Sequence, residues 1–199
     1  MDILLNPEQT AARLPWAPLV GEIEALLTDA SVSVPPRTVL PMAAGAFLFA
    51  MPGCDARTAM TKLISFTPAN MGTGRPTIQG DVTVFDVASG ERPLILDGPT
   101  VTARRTAAVS ALAARWLAPN LNGPMLIVGA GVQGQAHIEV FAAALGVTQF
   151  RIASRRRASA EALAEHACGL GLQAEVVDDA DAALADCPLA TTCTPASEV

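Results

Sequence analysis

The sequence predicts an α/β protein in which an N-terminal mixed α+β domain is followed by a Rossmann-type, doubly wound parallel sheet. From residue 125 onward, short apolar runs alternate with helical segments in a regular βα order. The first of these runs ends in the glycine-rich segment "GAGVQG", whereas the first half contains short apolar runs interrupted by proline and glycine. With 51% hydrophobic and 16% charged residues, the 199-residue chain can bury a core, and we expect domains at 1–119 and 120–199.

Changes in the spacing of apolar residues predict the elements of the first domain. Residues 15–31 carry apolar side chains at helical spacing and predict one helix. The run "PMAAGAFLFAMPG" is shorter than the roughly 20 residues that span a bilayer, and it predicts a buried strand. The segments "VTVFDV" and "PLILDG" alternate as the two strands of a hairpin around "ASGER". Residues 100–118 are rich in alanine and end at a Pro-Asn breaker, so they predict a helix.

The second domain is predicted as a run of βα units. Strands are expected at 125–130, 149–154, 173–178 and 189–194, and helices at 132–145, 157–170 and 179–186. These four strands are fewer than the six of the usual doubly wound order, so we expect an incomplete Rossmann domain.

Composition excludes several classes of partner. The formal charge of −6 and the isoelectric point near 4.8 argue against a basic surface for nucleic acid or for an anionic membrane. The N-terminus has no basic region before an apolar one, so no signal peptide is predicted. The four cysteines form no CxxC pair and no metal-ligand spacing with either histidine. We therefore expect a cytoplasmic protein without a bound metal, whose cysteines are reduced, partly buried thiols.

The glycine-rich segment is typical of a dinucleotide-binding turn. Gly129 would permit the tight turn, Gly131 the approach of backbone to a pyrophosphate, and Gly134 the close packing of helix on strand. The N-terminus of the following helix would offer free N–H groups to the phosphates. A preceding strand and a following βα unit favour this interpretation over glycines that serve only a packed turn.

The end of the second predicted strand indicates which dinucleotide is bound. An NAD site usually places an acid there, whereas this chain has Ser154, Arg155, Arg156 and Arg157. A hydroxyl and guanidinium groups suit a 2′-phosphate, so we expect NADPH, with NADH possible. The alternative is a solvated arginine run at the start of a helix.

The motifs "TKLIS", "P-x-N" at residues 68–70 and "LDG-x-x-x-T-x-x-RTAA-x-SALAA" resemble those of the ornithine cyclodeaminase and mu-crystallin family. The resemblance covers nearly the whole chain from about residue 35. It implies a first domain that binds substrate and forms a homodimer, and a second domain that binds the dinucleotide. It also implies further strands and an aspartate beyond those of this sequence.

The resemblance implies roles for individual residues. Arg37, Lys62 and Arg105 match basic positions that hold the carboxylate of the substrate, and Lys62 is also the expected proton donor to the substrate nitrogen. Arg104 is expected to be a charge on the helix surface. The remaining expected cofactor contacts are Thr77, Val132, Gln133 and Thr194.

The resemblance, together with the arginines after the second predicted strand, favours the NADPH-dependent reduction of a cyclic ketimine such as Δ1-pyrroline-2-carboxylate, which gives L-proline. The "LDGPTVTARRTAAVSALAARWLAP" stretch looks like that of Δ1-pyrroline-2-carboxylate reductases. An ornithine cyclodeaminase or amino-acid dehydrogenase that uses NAD is the alternative within enzymes. A non-catalytic NADPH-binding protein like mu-crystallin is the alternative from another class.

Overall fold

The computed structural model describes residues 3–194. The chain forms two compact units, one from Met1–Pro15 and Ala25–Thr102 and the other from Trp16–Glu24 and Ala103–Val199. The division falls inside the long helix α3, Gly98–Leu117, whereas the predicted border at 119–120 follows this helix. The buried alanines of α3 belong to the same apolar cluster as the parallel sheet, which explains the earlier division.

The first unit is built on a five-stranded antiparallel sheet whose strands follow one another in chain order. These strands are β1 Thr38–Pro41, β2 Phe47–Cys54, β3 Thr58–Phe66, β4 Ile78–Asp86 and β5 Leu94–Asp97. The predicted hairpin is confirmed as β4 and β5. Helix α1, Pro7–Arg13, was not expected from apolar spacing, and it begins at an Asn6 capping box with Gln9.

The single buried strand expected for "PMAAGAFLFAMPG" is wrong. The chain instead turns back on itself between β1 and β2, and Ala44 and Gly45 both have positive φ in this turn. Neither strand is fully buried. Pro52 lies in β2 beyond the residues that pair with β1, where a missing N–H removes no bond to that neighbour.

Alternation along β3 gives the sheet one buried and one open face. Lys62 and Ile64 are buried, while Leu63 between them is 47% exposed. Val82 lies opposite Lys62 and is buried as well. Leu40 is on the open face with Leu63 and is 55% exposed.

The second unit contains the predicted parallel sheet, in the order β8-β7-β6-β9. Its strands are β6 Met125–Val128, β7 Gln149–Ala153, β8 Gln173–Val176 and β9 Leu189–Thr192. The other α-helices among residues 3–194 are α2 Trp16–Thr28, α4 Val132–Leu145, α5 Arg157–Gly169 and α6 Ala180–Leu184. The Rossmann-type fold is thereby confirmed, and the order reverses between β6 and β9, where such sheets bind ligands.

The core of the second unit lies between the parallel sheet and its helices. Met125 and Ile127 of β6 pack with Val140 of α4 and with Ala107 and Ala111 of α3. Small side chains on α3 let that helix lie close to its neighbours. No described helix is both long and apolar enough to cross a bilayer.

Candidate functional site

The glycine turn joins β6 to α4 at the carboxyl edge of the parallel sheet. Gly129 has φ 115°, and a Cβ there would lie 2.6 Å from the Cys193 carbonyl oxygen. The Gly129 N–H donates to the Ala153 carbonyl at 2.8 Å, and the Cys193 N–H donates to the Val128 carbonyl at 2.7 Å. The turn is therefore fixed between the ends of β7 and β9.

The other two glycines of the motif differ in what surrounds them. A Cβ on Gly134 would collide with the Gly129 carbonyl oxygen, so its absence allows the first turn of α4 to pack on the strand end. A Cβ on Gly131 would meet no atom within 4 Å, and φ there is −105°. Nothing in the described chain requires glycine at 131, which leaves room for a ligand to approach the backbone.

The start of α4 fits the pyrophosphate of a dinucleotide. Gly131 is the N-cap, and no side chain caps the helix, so the first N–H groups are available to an anion. Gln133 Oε1 is buried without a hydrogen-bond partner, the one such side-chain atom among the described residues. A buried acceptor without a partner is costly, and a hydroxyl or N–H group of a ligand would satisfy it. Val132 beside it is exposed.

His137 supports this turn from inside α4. Its Nδ1 lies 2.7 Å from the Gln133 carbonyl oxygen, which can only accept, so Nδ1 carries the proton. Nε2 then accepts from the Ser110 hydroxyl at 3.0 Å, and Cys193 Sγ is 3.7 Å from Nδ1. Burial lowers the pKa of His137 from 6.5, which favours this neutral form.

We expect acid to destabilise the protein through His137. Because its pKa is lowered in the folded chain, the unfolded chain binds the proton first as the pH falls through 6.5. Stability is therefore lost from about pH 6.5 downward until the folded side chain also titrates. The variant His137→Asn can still donate a hydrogen bond but cannot become charged, so its free energy of unfolding should fall less between pH 7.5 and pH 5.5. Urea unfolding at both pH values measures the difference, and equal losses in the two proteins would contradict it.

The loop after β7 contains the residues that are predicted to determine selectivity between NADPH and NADH. Ser154 follows β7 directly and is half-buried, and Arg155 and Arg156 are exposed. Neither guanidinium has a hydrogen bond or an ion pair within the described part of the chain. Arg157 differs, because it is bound to Glu161 and Asp178.

Thr194, which follows β9, lies beside the glycine turn. Thr194 is exposed at the carboxyl end of β9, and its methyl group would be 3.3 Å from a Cβ on Gly129.

All four cysteines are free, but the expected partial burial is wrong for Cys54 and Cys168, which are exposed. Burial raises the pKa of the Cys193 thiol and keeps it protonated. Within residues 3–194, no three Cys, His, Asp or Glu side chains converge as metal ligands.

The first unit places two predicted substrate residues on one face of its sheet. Lys62 is 6% exposed, and its Nζ lies 3.4 Å from Thr102 Oγ1 at the start of α3. Arg37 comes just before β1, and its guanidinium carbon lies 5.5 Å from the centroid of the Phe49 ring. Phe49 pairs with Ile64, two residues from Lys62 on the same strand face.

Thr77 lies directly before β4, at the end of the loop that contains the "P-x-N" motif. Its carbonyl oxygen accepts from the Thr67 N–H at 2.8 Å. The Asn70 amide donates to the Pro76 carbonyl at 2.9 Å and closes the same loop. The motif thus forms a compact turn that fixes Thr77, and its contact with a cofactor stays a prediction.

The two arginines of the "RRTAA" stretch have different environments. Arg105 is exposed on α3 and has no side-chain hydrogen bond or ion pair to the described residues. Arg104 is half-buried on α3, and its guanidinium carbon lies 3.7 Å from the centroid of the Trp16 ring. Arg105 therefore remains the candidate for an anionic ligand.

Sequence reasoning missed a polar cluster around Glu139. Its carboxylate accepts from Trp16 Nε1 at 3.2 Å, from Gln135 Nε2 at 2.9 Å and from His166 Nε2 at 3.0 Å. The Gln135 contact follows helical i, i+4 spacing and could have been found in the sequence. The Trp16 contact joins residues 123 positions apart, for which the sequence holds no local signal.

A model of the ornithine cyclodeaminase/mu-crystallin family matches residues 5–199. The chain belongs to this family. Among family members, it is 35% identical over 160 residues to Delta(1)-pyrroline-2-carboxylate reductase 1 of Burkholderia multivorans, which covers 79% of this chain and 51% of that protein. It is 37% identical over 155 residues to ketimine reductase mu-crystallin of Mus musculus, which covers 73% of this chain and 50% of that protein. The chain thus spans about half the length of these relatives.

Two solved structures agree with the fold. Delta(1)-pyrroline-2-carboxylate reductase of Thermococcus litoralis, in complex with NADH and L-proline, superposes with a TM-score of 0.87 at 22% identity over 96% of this chain and 61% of that one. An archaeal alanine dehydrogenase dimer with bound NAD gives a TM-score of 0.87 at 21% identity, over 98% of this chain and 61% of that one. These likenesses support the two-part architecture described above.

Proposed function

We propose that this family member takes part in the NADPH-dependent reduction of a cyclic ketimine such as Δ1-pyrroline-2-carboxylate to L-proline. The observation that carries the proposal is the end of β7, where two guanidinium groups without a partner among residues 3–194 follow a serine in place of an acid. The names of the relatives from Burkholderia and mouse support the substrate class. The bound nicotinamide cofactors of the solved relatives support a nicotinamide cofactor here.

In the proposed reaction, three residues of this chain have separate roles. When bound, NADPH supplies a hydride to the carbon of the C=N bond. Arg37 and Arg105 would hold the substrate carboxylate, since guanidinium groups match a planar anion through paired donors. Lys62, buried on its sheet face, would supply the proton to the ring nitrogen. Hydride on carbon and proton on nitrogen together give the cyclic amino acid.

The cofactor would be held by the described turn and by the loop after β7. The open space at Gly131 suits the pyrophosphate of the cofactor, and Val132, Gly129 and Gly134 shape the turn. The unsatisfied Gln133 Oε1 is an acceptor and would take a hydrogen bond from a hydroxyl group of the cofactor. Ser154, Arg155 and Arg156 would bind the 2′-phosphate, and Thr77 and Thr194 would contact the cofactor elsewhere.

A homodimer belongs to the same proposal. It is supported by the exposed leucines on the open face of the first unit and by the dimer named for the archaeal relative.

Removing both free arginines should abolish the preference for NADPH. The double variant Arg155→Ala/Arg156→Ala loses two charge-assisted contacts, each worth about 1.5–3 kcal/mol, so NADPH should bind about 10²- to 10⁴-fold more weakly. NADH lacks the 2′-phosphate and should bind within about twofold of the original affinity. Isothermal titration of both cofactors measures this. Arg115→Ala removes a charge from the last turn of α3 and serves as the control.

If the double variant binds NADPH and NADH equally more weakly than the original chain, a 2′-phosphate site is contradicted.

The two alternative functions, an NAD-dependent cyclodeaminase and a non-catalytic binding protein, predict different results in solution. An NAD-dependent cyclodeaminase would release ammonia from ornithine with no net use of NADPH. A non-catalytic binding protein would bind NADPH but would not oxidise it when a ketimine is added.

A further inference from the structure

The third arginine of the loop after β7 is already engaged by two acids of the chain. Arg157 Nε lies 3.0 Å from Glu161 Oε1, one turn further along α5. Arg157 Nη1 lies 2.8 Å from Asp178 Oδ1, in the loop that follows β8. Arg155 and Arg156 have no such partners among the described residues. Three adjacent arginines that look alike in the sequence therefore fall into two classes.

The groups that Arg157 contacts, and those that follow them in the chain, are acidic. Glu161 and Asp178 carry two negative charges against the single positive charge of Arg157, and Asp179 and Asp181 follow at the start of α6. Without Arg157, both of its carboxylates would be uncompensated. Charges on a protein surface act over a screening length of about 8 Å at physiological salt. A 2′-phosphate held by Arg155 and Arg156, directly before Arg157 in the chain, would lie within reach of that repulsion.

We propose that Arg157 is a positioning residue that makes the corner after β7 selective for NADPH without binding the 2′-phosphate itself. It holds the carboxylates of Glu161 and Asp178 and reduces their net charge, which leaves Arg155 and Arg156 for the phosphate. The inference rests on the proposed NADPH site. It adds a determinant of specificity that acts through two acids.

Geometry favours this role over direct binding. The two bonds come from different atoms of one guanidinium, Nε and Nη1, and they fix its orientation. Turning Arg157 toward a phosphate would break both and leave two acids facing the anion. Each exposed pair is worth little for stability, so the consequence is expected in cofactor selectivity and not in folding.

The test compares cofactor affinities in the whole 199-residue chain. Arg157→Ala should bind NADPH about three- to tenfold more weakly, since two uncompensated carboxylates would then repel the 2′-phosphate across partly screening solvent. NADH should change by less than about twofold. The triple variant Arg157→Ala/Glu161→Gln/Asp178→Asn lacks the repelling acids and should recover the wild-type ratio of the two affinities. The defect of Arg157→Ala should also shrink at about 1 M salt, where the screening length is about 3 Å.

The outcomes separate this inference from the proposal on which it rests. A weak NADPH affinity that persists in the triple variant would make Arg157 a phosphate ligand and overturn the inference. An unchanged affinity in Arg157→Ala would overturn it as well. A wild-type chain that does not bind NADPH more tightly than NADH would instead overturn the NADPH site itself.

Discussion

Gly131→Ala should separate cofactor binding from folding. The added methyl group meets no atom of the described chain within 4 Å, but it occupies the space over the turn where the pyrophosphate is proposed to lie. Overpacking of this kind costs about 1–3 kcal/mol, so NADPH should bind about ten- to hundredfold more weakly. Stability should stay within about 1 kcal/mol, because alanine is a poorer N-cap but restricts the unfolded chain. Isothermal titration and urea unfolding measure the two quantities.

Gly134→Ala is the matched comparison in the same turn. Its Cβ would collide with the Gly129 carbonyl oxygen, so this variant should lose stability together with binding. If Gly131→Ala binds NADPH as tightly as the original chain, the pyrophosphate does not lie over this turn.

Lys62→Met should remove ketimine reduction while leaving the cofactor site intact. Methionine fills the space of the buried lysine stem but carries no proton for the ring nitrogen. Loss of a positioned proton donor lowers the rate by about 10²- to 10⁴-fold. The turnover number with Δ1-pyrroline-2-carboxylate reports the effect, and NADPH affinity should be unchanged because Lys62 is not one of the proposed cofactor contacts.

Thr102→Val provides the control for Lys62. It removes the hydroxyl that lies 3.4 Å from Lys62 Nζ but keeps the ammonium, so its effect on turnover should be much smaller. Full activity in Lys62→Met would show that the proton comes from another group.

The second unit could be predicted from the sequence because its signals are local. Each strand is a short apolar run, each helix follows within a few residues, and the glycine turn marks the first crossover. The predicted helix at 132–145 has the same limits as α4. The first unit was harder, because the apolar run after Pro41 holds both a turn and a strand. The chain reverses at Ala44 and Gly45, which both have positive φ. Alanine rarely adopts this conformation, so the sequence does not indicate a turn there.

The candidate site also combines residues that the sequence could predict with contacts that it could not. The resemblance singled out Lys62 and Arg37, and the pairing of strands places them on one face of the sheet. The sequence could not tell that Arg157 is engaged by Asp178, since that contact depends on how the loop after β8 folds beside α5. Nor could it place Cys193 beside His137, because the two meet only when β9 pairs with β6.

The most direct test of the account is the oxidation of NADPH by the purified chain with Δ1-pyrroline-2-carboxylate, with NADH assayed in parallel. We expect loss of NADPH absorbance that depends on the ketimine, formation of an equal amount of L-proline, and slower turnover with NADH. Binding of NADPH without any ketimine-dependent oxidation would contradict the proposed reduction.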